Sequence, residues 1–285
     1  MTTSDFVNSC KTDQKERRDV EMMTRGQNQN AKWYAMRSGS LTTTKFHRID
    51  RLMTGGKASP SRLVSDCMGD KYKNLTKPPP LPNAKSIKWG VANESLARNA
   101  YFNKEKTKHS NLVIKETGLI VHNTKSYLRA SPDGVVLCDC CPPRILEIKC
   151  PYSAAHEAIR GNTKIKYIEE VGNTLALKGG NHGYLEQVQG CMAITNVSKC
   201  EFVVYTVKDI EVIHVDFDPI FWANLEQHLD NFFLSHLVPE LFRRQNHPNA
   251  TYIVDKSDTD SDMEVDTDNV VNACLSLYSY INNVK

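Results

Sequence analysis

A chain of 285 residues that is 40% hydrophobic and 24% charged has ordinary globular composition, which excludes collagen-like, coiled-coil and wholly disordered chains. No stretch reaches the roughly 18 apolar residues of a membrane span, and the polar start MTTSDFVNSCKTDQKERR lacks the apolar centre of a secretory signal. The expectation is an intracellular protein with no membrane partner, nucleus or cytoplasm left open.

The net charge of +3 hides an asymmetry, because residues 253–268 carry seven acids and one lysine. Residues 1–252 keep 34 Lys+Arg against 26 Asp+Glu, a balance that suits an anionic partner such as nucleic acid.

Residues 1–30 are polar and without period and read as a flexible arm. An ordered domain is expected over 31–252, and the acidic stretch and C-terminus at 253–285 read as disordered. In LTTTKFHRIDRLM, Phe46, Ile49 and Met53 recur at helical spacing behind threonines able to cap, so a helix begins near Thr43. GGKASPSR and KPPPLPN read as loops or a linker. From Ile87, the sequence IKWGVANESLARNAYF sets Gly90, Glu94, Ala97 and Tyr101 on one stripe and Trp89, Ala92, Leu96 and Ala100 on the next. That pattern predicts a buried helix carrying one carboxylate.

NLVIKETGLIVHN, SYLRASPDGVVLC and RILEIKC are β-rich runs broken by Gly, Asn and Pro, as in an antiparallel meander. A helix is expected at SAAHEAIR, with Ser153 as cap and Gly161 as stop. Another runs from about Gly183 to Thr195, with Leu185, Val188 and Met192 inward and Tyr184, Gln187 and Cys191 on the adjoining face. CEFVVYTVKD and IEVIHVDFD read as a strand pair. Asp218-Pro219 opens a last helix whose stripe of Trp222, Leu225, Leu229, Phe232 and Phe233 reads as core or subunit contact.

The segment SPDGVVLCDCCPPRILEIKCPY carries the chemistry. In LEIK, the period of two sends Glu147 and Lys149 to one face and Leu146 and Ile148 to the core. Pro132-Asp133-Gly134 ends a strand at a turn, and a hairpin brings Asp133 back beside Glu147. Two converging carboxylates with main-chain carbonyls nearby make an all-oxygen site, which suits Mg2+ or Mn2+ better than zinc. Cys138, Cys140 and Cys141 lie in the hairpin, and Cys150 lies just past it. Their C-x-C-C spacing departs from the C-x2–4-C of structural zinc, so they read as free thiols, with a zinc clip as the alternative. His109, His122, His156, His182 and His214 show no H-x3-H pairing and read as structural or surface residues.

The spacing resembles the PD-(D/E)XK nuclease superfamily, with Pro132, Asp133, Glu147, Ile148 and Lys149 filling its motif in order. WGVANESLARNAYF, RASPDGVV, LEIKCPY and GYLEQVQGCMAIT resemble four successive blocks of the phage lambda exonuclease and YqaJ-type viral recombinase family. WYAMRSGSLTTTKF resembles that family's N-terminal phosphate-binding segment.

The resemblance implies an α/β fold of restriction-endonuclease-like type, a mixed central sheet flanked by helices. It also implies Mg2+-dependent cleavage of double-stranded DNA ends from the 5′ side in recombination or repair, by a homo-oligomeric ring, with a single-strand annealing protein as an open companion. Matched block by block, Asp133, Glu147 and the Ile148 carbonyl fall on metal ligands. Glu94 falls on a helix glutamate that binds metal directly or through water, and Lys149 on the catalytic lysine. Gln187 falls on the first glutamine of a QxQ helix, with Tyr184 one turn before it able to hold phosphate or water. Arg37 falls on a phosphate-binding arginine, and Thr44 stands where the family often has serine. Two alternatives remain open at this point: a DNA-binding module of the same fold without turnover, and an endonuclease or RNA-active nuclease.

Overall fold

A computed structural model describes residues 12–72 and 74–246, and its first element departs from the expected arm. Helix α1 (Gln14–Met23) starts at a capping box, in which the Asp13 side chain accepts from the Glu16 N–H and Glu16 accepts from the Asp13 N–H. It is docked, too. Gly118 N–H donates to Glu21 Oε1 at 3.0 Å, and a Cβ on Gly118 would lie 2.0 Å from the Glu21 carbonyl oxygen. The acidic stretch at 253–268 lies outside the described residues.

After α2 (Ala31–Ala35) and the short strand β1 (Leu41–Thr42), a 3-10 turn at Thr43–Lys45 leads into α3 (Phe46–Met53). The helix begins where expected, but no threonine side chain caps it. GGKASPSR, expected as loop, starts α4 (Pro60–Met68): Ser59 caps the first turn and Pro60 occupies its first position, where a missing N–H costs nothing. KPPPLPN is free of helix and strand, as expected.

Helix α5 (Lys85–Glu105) buries only one face, that of Asn93, Ala97, Tyr101 and Glu105. The neighbouring stripe turns to solvent, with Leu96 53% exposed.

The expected meander divides between two sheets. Strands β2 (Val113–Lys115), β5 (Gly134–Leu137) and β6 (Arg144–Lys149) are antiparallel neighbours. By contrast, β3 (Ile120–Val121) and β4 (Leu128–Ala130) form a second, three-stranded sheet in which β1 runs parallel to β4. The helix expected at SAAHEAIR is a single 3-10 turn at Tyr152–Ala154. Its backbone is claimed by tertiary bonds instead: Ile159 N–H to Asp209 Oδ2, Val207 N–H to Ala155 O, and Thr206 Oγ1 to Glu157 O. A hairpin, β7 (Ile168–Val171) with β8 (Thr174–Leu177), follows.

Helix α6 (Tyr184–Thr195) then carries the chain to β9 (Lys199–Tyr205), which pairs parallel with β6 and antiparallel with β10 (Ile210–Asp216). The main sheet therefore has the order β10-β9-β6-β5-β2, mixed in direction, with β6 central. Leu146, Ile148, Val136 and Val203 meet Ala97 and Tyr101 of α5 on one face. On the other face, Ile145, Phe202 and Val204 share the larger core with Val188, Cys191 and Met192 of α6. Helix α7 (Pro219–Phe232), capped by Asp218, packs Trp222, Leu225, Leu229 and Phe232 into that core, and a π turn at Phe233–Leu237 joins it to α8 (Val238–Asn246). The result is a helix–sheet–helix sandwich. Among the described residues no helix is long and apolar enough to cross a membrane.

Candidate active site

Register assembles the site. Gly134 pairs with Leu146, so Asp133, one residue before β5, falls against the backbone of β6, where its Oδ2 accepts from the Ile148 N–H at 2.6 Å. The following glycine sits in a tight place, since a Cβ on Gly134 would lie 3.0 Å from Ile114, 3.1 Å from Arg98 Nη1 and 3.2 Å from the Lys115 carbonyl. Glu147 and Lys149 do share a face, but it is the face covered by α6, and Glu147 is only 1% exposed.

Glu147 Oε1 accepts from Lys149 Nζ at 2.5 Å and from Gln187 Nε2 at 2.6 Å. Its Oε2 is buried with no hydrogen-bond partner among the described residues. A buried carboxylate oxygen without a donor is costly unless a cation faces it.

Helix α6 reaches Glu147 because two glycines permit close contact. Gly183 takes φ +71° at the helix start, and a Cβ on Gly190 would lie 2.5 Å from the Phe46 ring. Tyr184 presents its ring to Lys149, with Nζ 4.8 Å from the centroid, and packs edge-on against Tyr167. Gln189, the second glutamine, is structural: it donates to the Asp216 carbonyl and accepts from the Asp218 N–H.

From α5, Glu94 joins the group, paired with Arg98 at 3.3 Å. Arg98 escaped the sequence reading, although its position four residues after Glu94 was a readable pairing signal.

The carboxyl groups here are buried or half-buried and close to one another. Burial and then the Asp133 charge push the Glu147 carboxyl up to about 7. Burial and then Asp133 also raise Glu94. Burial raises Asp133 against the opposing pull of Lys149, the Ile148 N–H and Arg98. Burial pulls the Lys149 ammonium down, but Glu147 and Asp133 outweigh it and hold the proton on. Three oxygen-donor side chains in mutual repulsion, one with an unpartnered buried oxygen, fit a hard divalent cation.

Arg37 and Thr44 stand together elsewhere on the surface. Arg37 Nη2 lies 3.3 Å from Thr42 Oγ1 and 3.2 Å from Thr44 Oγ1, and its guanidinium stacks 3.9 Å over Trp33. Burial lowers Arg37 to about 10. Both residues line a cavity of about 560 Å³ with Lys45, Arg48, Lys71 and Tyr72. Arg48 is paired there with Asp66 at 2.8 Å. Lys45, Arg48 and Lys71 were not singled out from sequence, although Lys45 adjoins Thr44. Helix α6 also touches the segment next to the cavity, where Cys191 Sγ, one turn beyond Gln187, donates to Oγ1 of Thr43, the residue before Thr44, at 3.7 Å.

Cys150 lies apart from the other cysteines of its segment. His109, expected as a structural or surface histidine, instead gathers with Cys138, Cys140 and Cys141.

Comparison with known proteins adds to this geometry. A family model described as the YqaJ-like viral recombinase domain matches residues 32–198, more than half of the chain. The chain is similar in fold to LHK-Exo in complex with dAMP, at 22% identity and a TM-score of 0.55, covering 76% of this chain and 98% of that one. It is likewise similar to the alkaline exonuclease LHK-Exo from Laribacter hongkongensis, at 23% identity and a TM-score of 0.53, with the same coverage. No curated protein matches the sequence.

Proposed function

From the premise that this chain belongs to the YqaJ-like viral recombinase family, we propose that it is a Mg2+-dependent deoxyribonuclease that digests double-stranded DNA from 5′ ends in recombination or repair. The observation that carries the reading is the buried, unpartnered Oε2 of Glu147 amid Asp133, Glu94 and Lys149. A surface ion pair has no reason to bury an uncompensated oxygen.

Asp133, Glu147, the Ile148 carbonyl and Glu94 would hold Mg2+, or Mn2+, which share a preference for oxygen donors. A divalent ion there supplies a more acidic water and neutralises charge on the phosphate. The protein's own groups do the rest. Lys149, kept protonated by Glu147 and Asp133, offers N–H donors to the oxygens on which negative charge develops. Gln187 fixes one oxygen of Glu147, so that the other keeps its direction. Tyr184 confines the Lys149 ammonium from the side of α6. Arg98 balances Glu94 and limits repulsion among the acids.

The Arg37 and Thr44 cavity suits the terminal phosphate, because a stacked guanidinium, a hydroxyl and nearby lysines are anion-binding chemistry. A homo-oligomeric ring on the duplex and cooperation with an annealing protein belong to the same reading as family expectations.

Digestion of end-labelled linear and circular duplexes, with Mg2+ and with chelator, tests the proposal. Expected is Mg2+-dependent loss of linear duplex from 5′-phosphorylated ends with circles spared. Cleaved circles would establish an endonuclease instead, and binding without any cleavage would establish a module that has lost turnover.

A further inference from the structure

At the end of the β5–β6 hairpin opposite Asp133 and Glu147, four soft-donor atoms converge. His109 Nδ1 lies 3.4 Å from Cys140 Sγ, 3.5 Å from Cys141 Sγ and 3.7 Å from Cys138 Sγ. Cys140 Sγ stands 3.6 Å from that of Cys138 and 3.7 Å from that of Cys141. All four ligand atoms lie within 4.8 Å of one another. These sulfurs are far outside the roughly 2.05 Å of a disulfide. These five separations do match tetrahedral edges: ligands about 2.3 Å (S) and about 2.0 Å (N) from a central zinc are separated by about 3.5–3.8 Å.

We propose that His109, Cys138, Cys140 and Cys141 form a Cys3His zinc site that staples the hairpin to the C-terminal end of α5.

The surroundings are built for it. Asp139 N–H donates to the Ser110 carbonyl at 3.0 Å, and Asn111 Nδ2 donates to Asp139 Oδ2 at 2.6 Å, so the two ligand-bearing segments are already joined. With Nδ1 as the ligand, the other ring nitrogen of His109 faces the buried Glu105 carboxylate, 3.8 Å away. A carboxylate behind a ligand histidine is the usual support for its tautomer. Arg144 Nη1 donates to Cys138 Sγ at 3.5 Å, which favours the thiolate, while Arg144 Nε pairs with Glu201 at 2.9 Å.

The unusual C-x-C-C spacing ceases to be an objection, because the fourth ligand comes from 29 residues before Cys138 rather than from the hairpin. Four protein donors leave no open position, so the role is structural. The same α5 carries Glu94, and the same hairpin joins Asp133 to Glu147. Clamping one to the other fixes the spacing of all three carboxylates. Soft thiolates and hard carboxylates also keep the two metals in separate places.

The test uses the full chain purified with reductant and without chelator, its metal measured by mass spectrometry, then stripped and titrated with Co2+ alone. Expected are one zinc per chain and, with Co2+, a thiolate-to-metal charge-transfer band with the strong visible bands of four-coordinate cobalt. Cys140→Ser, at an exposed position, should weaken Co2+ binding at least about tenfold. His109→Cys should keep the metal with a stronger thiolate band. Glu147→Gln should retain the full zinc content, because its oxygen-donor site is elsewhere, and this holds whether or not the chain proves to be a nuclease. The proposal is overturned if stripped wild-type protein gives no thiolate–cobalt band, or if a Cys138→Ser, Cys140→Ser, Cys141→Ser triple variant keeps its zinc. The wild-type spectrum decides even if a variant fails to fold.

Discussion

The side-chain amide of Gln187 donates to Glu147 Oε1 across 2.6 Å, tying helix α6 to the central strand β6 and leaving Oε2 as the free arm of the carboxylate. Gln187→Ala leaves Oε1 held by Lys149 alone, so the Mg2+ concentration for half-maximal cleavage should rise and the maximal rate fall about 10–100-fold. A Mg2+ titration at saturating duplex measures both. An unchanged Mg2+ requirement would remove Gln187 from the positioning role.

Asp133→Ala, Glu147→Ala and Lys149→Ala should each cut cleavage by at least about a hundredfold, several kcal/mol of barrier, in protein that remains folded. Single-turnover assays on one linear duplex, with circular dichroism as the fold control, decide this residue by residue. Near-normal turnover excludes the residue concerned.

Arg37→Ala should lessen the preference for 5′-phosphorylated over 5′-hydroxyl ends more than it slows cleavage, since Arg37 lines the cavity with Thr44 rather than the carboxylate group. Rates on the two kinds of end give the ratio. An equal loss on both would contradict the assignment.

Gly190→Ala tests the helix contact that delivers Gln187. The added methyl favours helix by about 1 kcal/mol, but it would meet the Phe46 ring at 2.5 Å, and overpacking costs about 1–3 kcal/mol. The clash should win, and urea denaturation should show a net loss of stability. A more stable variant would mean that α3 yields easily.

His122 provides the pH prediction. Its Nδ1 accepts the backbone N–H groups of Thr124 and Lys125, and burial lowers its pKa below the ordinary 6.5. The folded state thus resists protonation more than the unfolded state does. The stabilisation is present above 6.5 and is lost as pH falls through the depressed folded value. His122→Asn keeps an acceptor for the same N–H groups without a titrating ring, so its Tm should fall less than that of wild type between about pH 7 and pH 5. Parallel curves would refute the role.

The grouping of the candidate site residues was partly legible because it rests on chain-local patterns. Asp133 precedes a strand by one residue, Glu147 and Lys149 differ by two within one, and Tyr184 and Gln187 share a helix turn. Period and a hairpin turn therefore placed Asp133, Glu147 and Lys149 together, whereas Tyr184 and Gln187 were joined to them by the family resemblance. What stayed hidden depended on distant partners. SAAHEAIR has a helical pattern, but its backbone bonds to Thr206 and Asp209. The Asp13 and Glu16 capping box lay in a segment that looked patternless, and Ser59-Pro60 was read as a break rather than a start. His109 shows no spacing relation to the cysteines, and only the turn after α5 brings them together. The β1–β4 pairing, which lifts Leu41 and Thr42 out of the main sheet, has no local signature at all.

The central place of β6 has a consequence for how the molecule breathes. Glu147 and Lys149 sit past the end of the β5 pairing but inside the β6–β9 ladder, opposite Phe202 and Val204, so exposing their backbone to solvent means opening that ladder in the middle of the main sheet. Amide exchange there should track global unfolding. On the proposed reading, the carboxylates therefore keep one geometry for as long as the molecule stays folded, whatever moves at its surface.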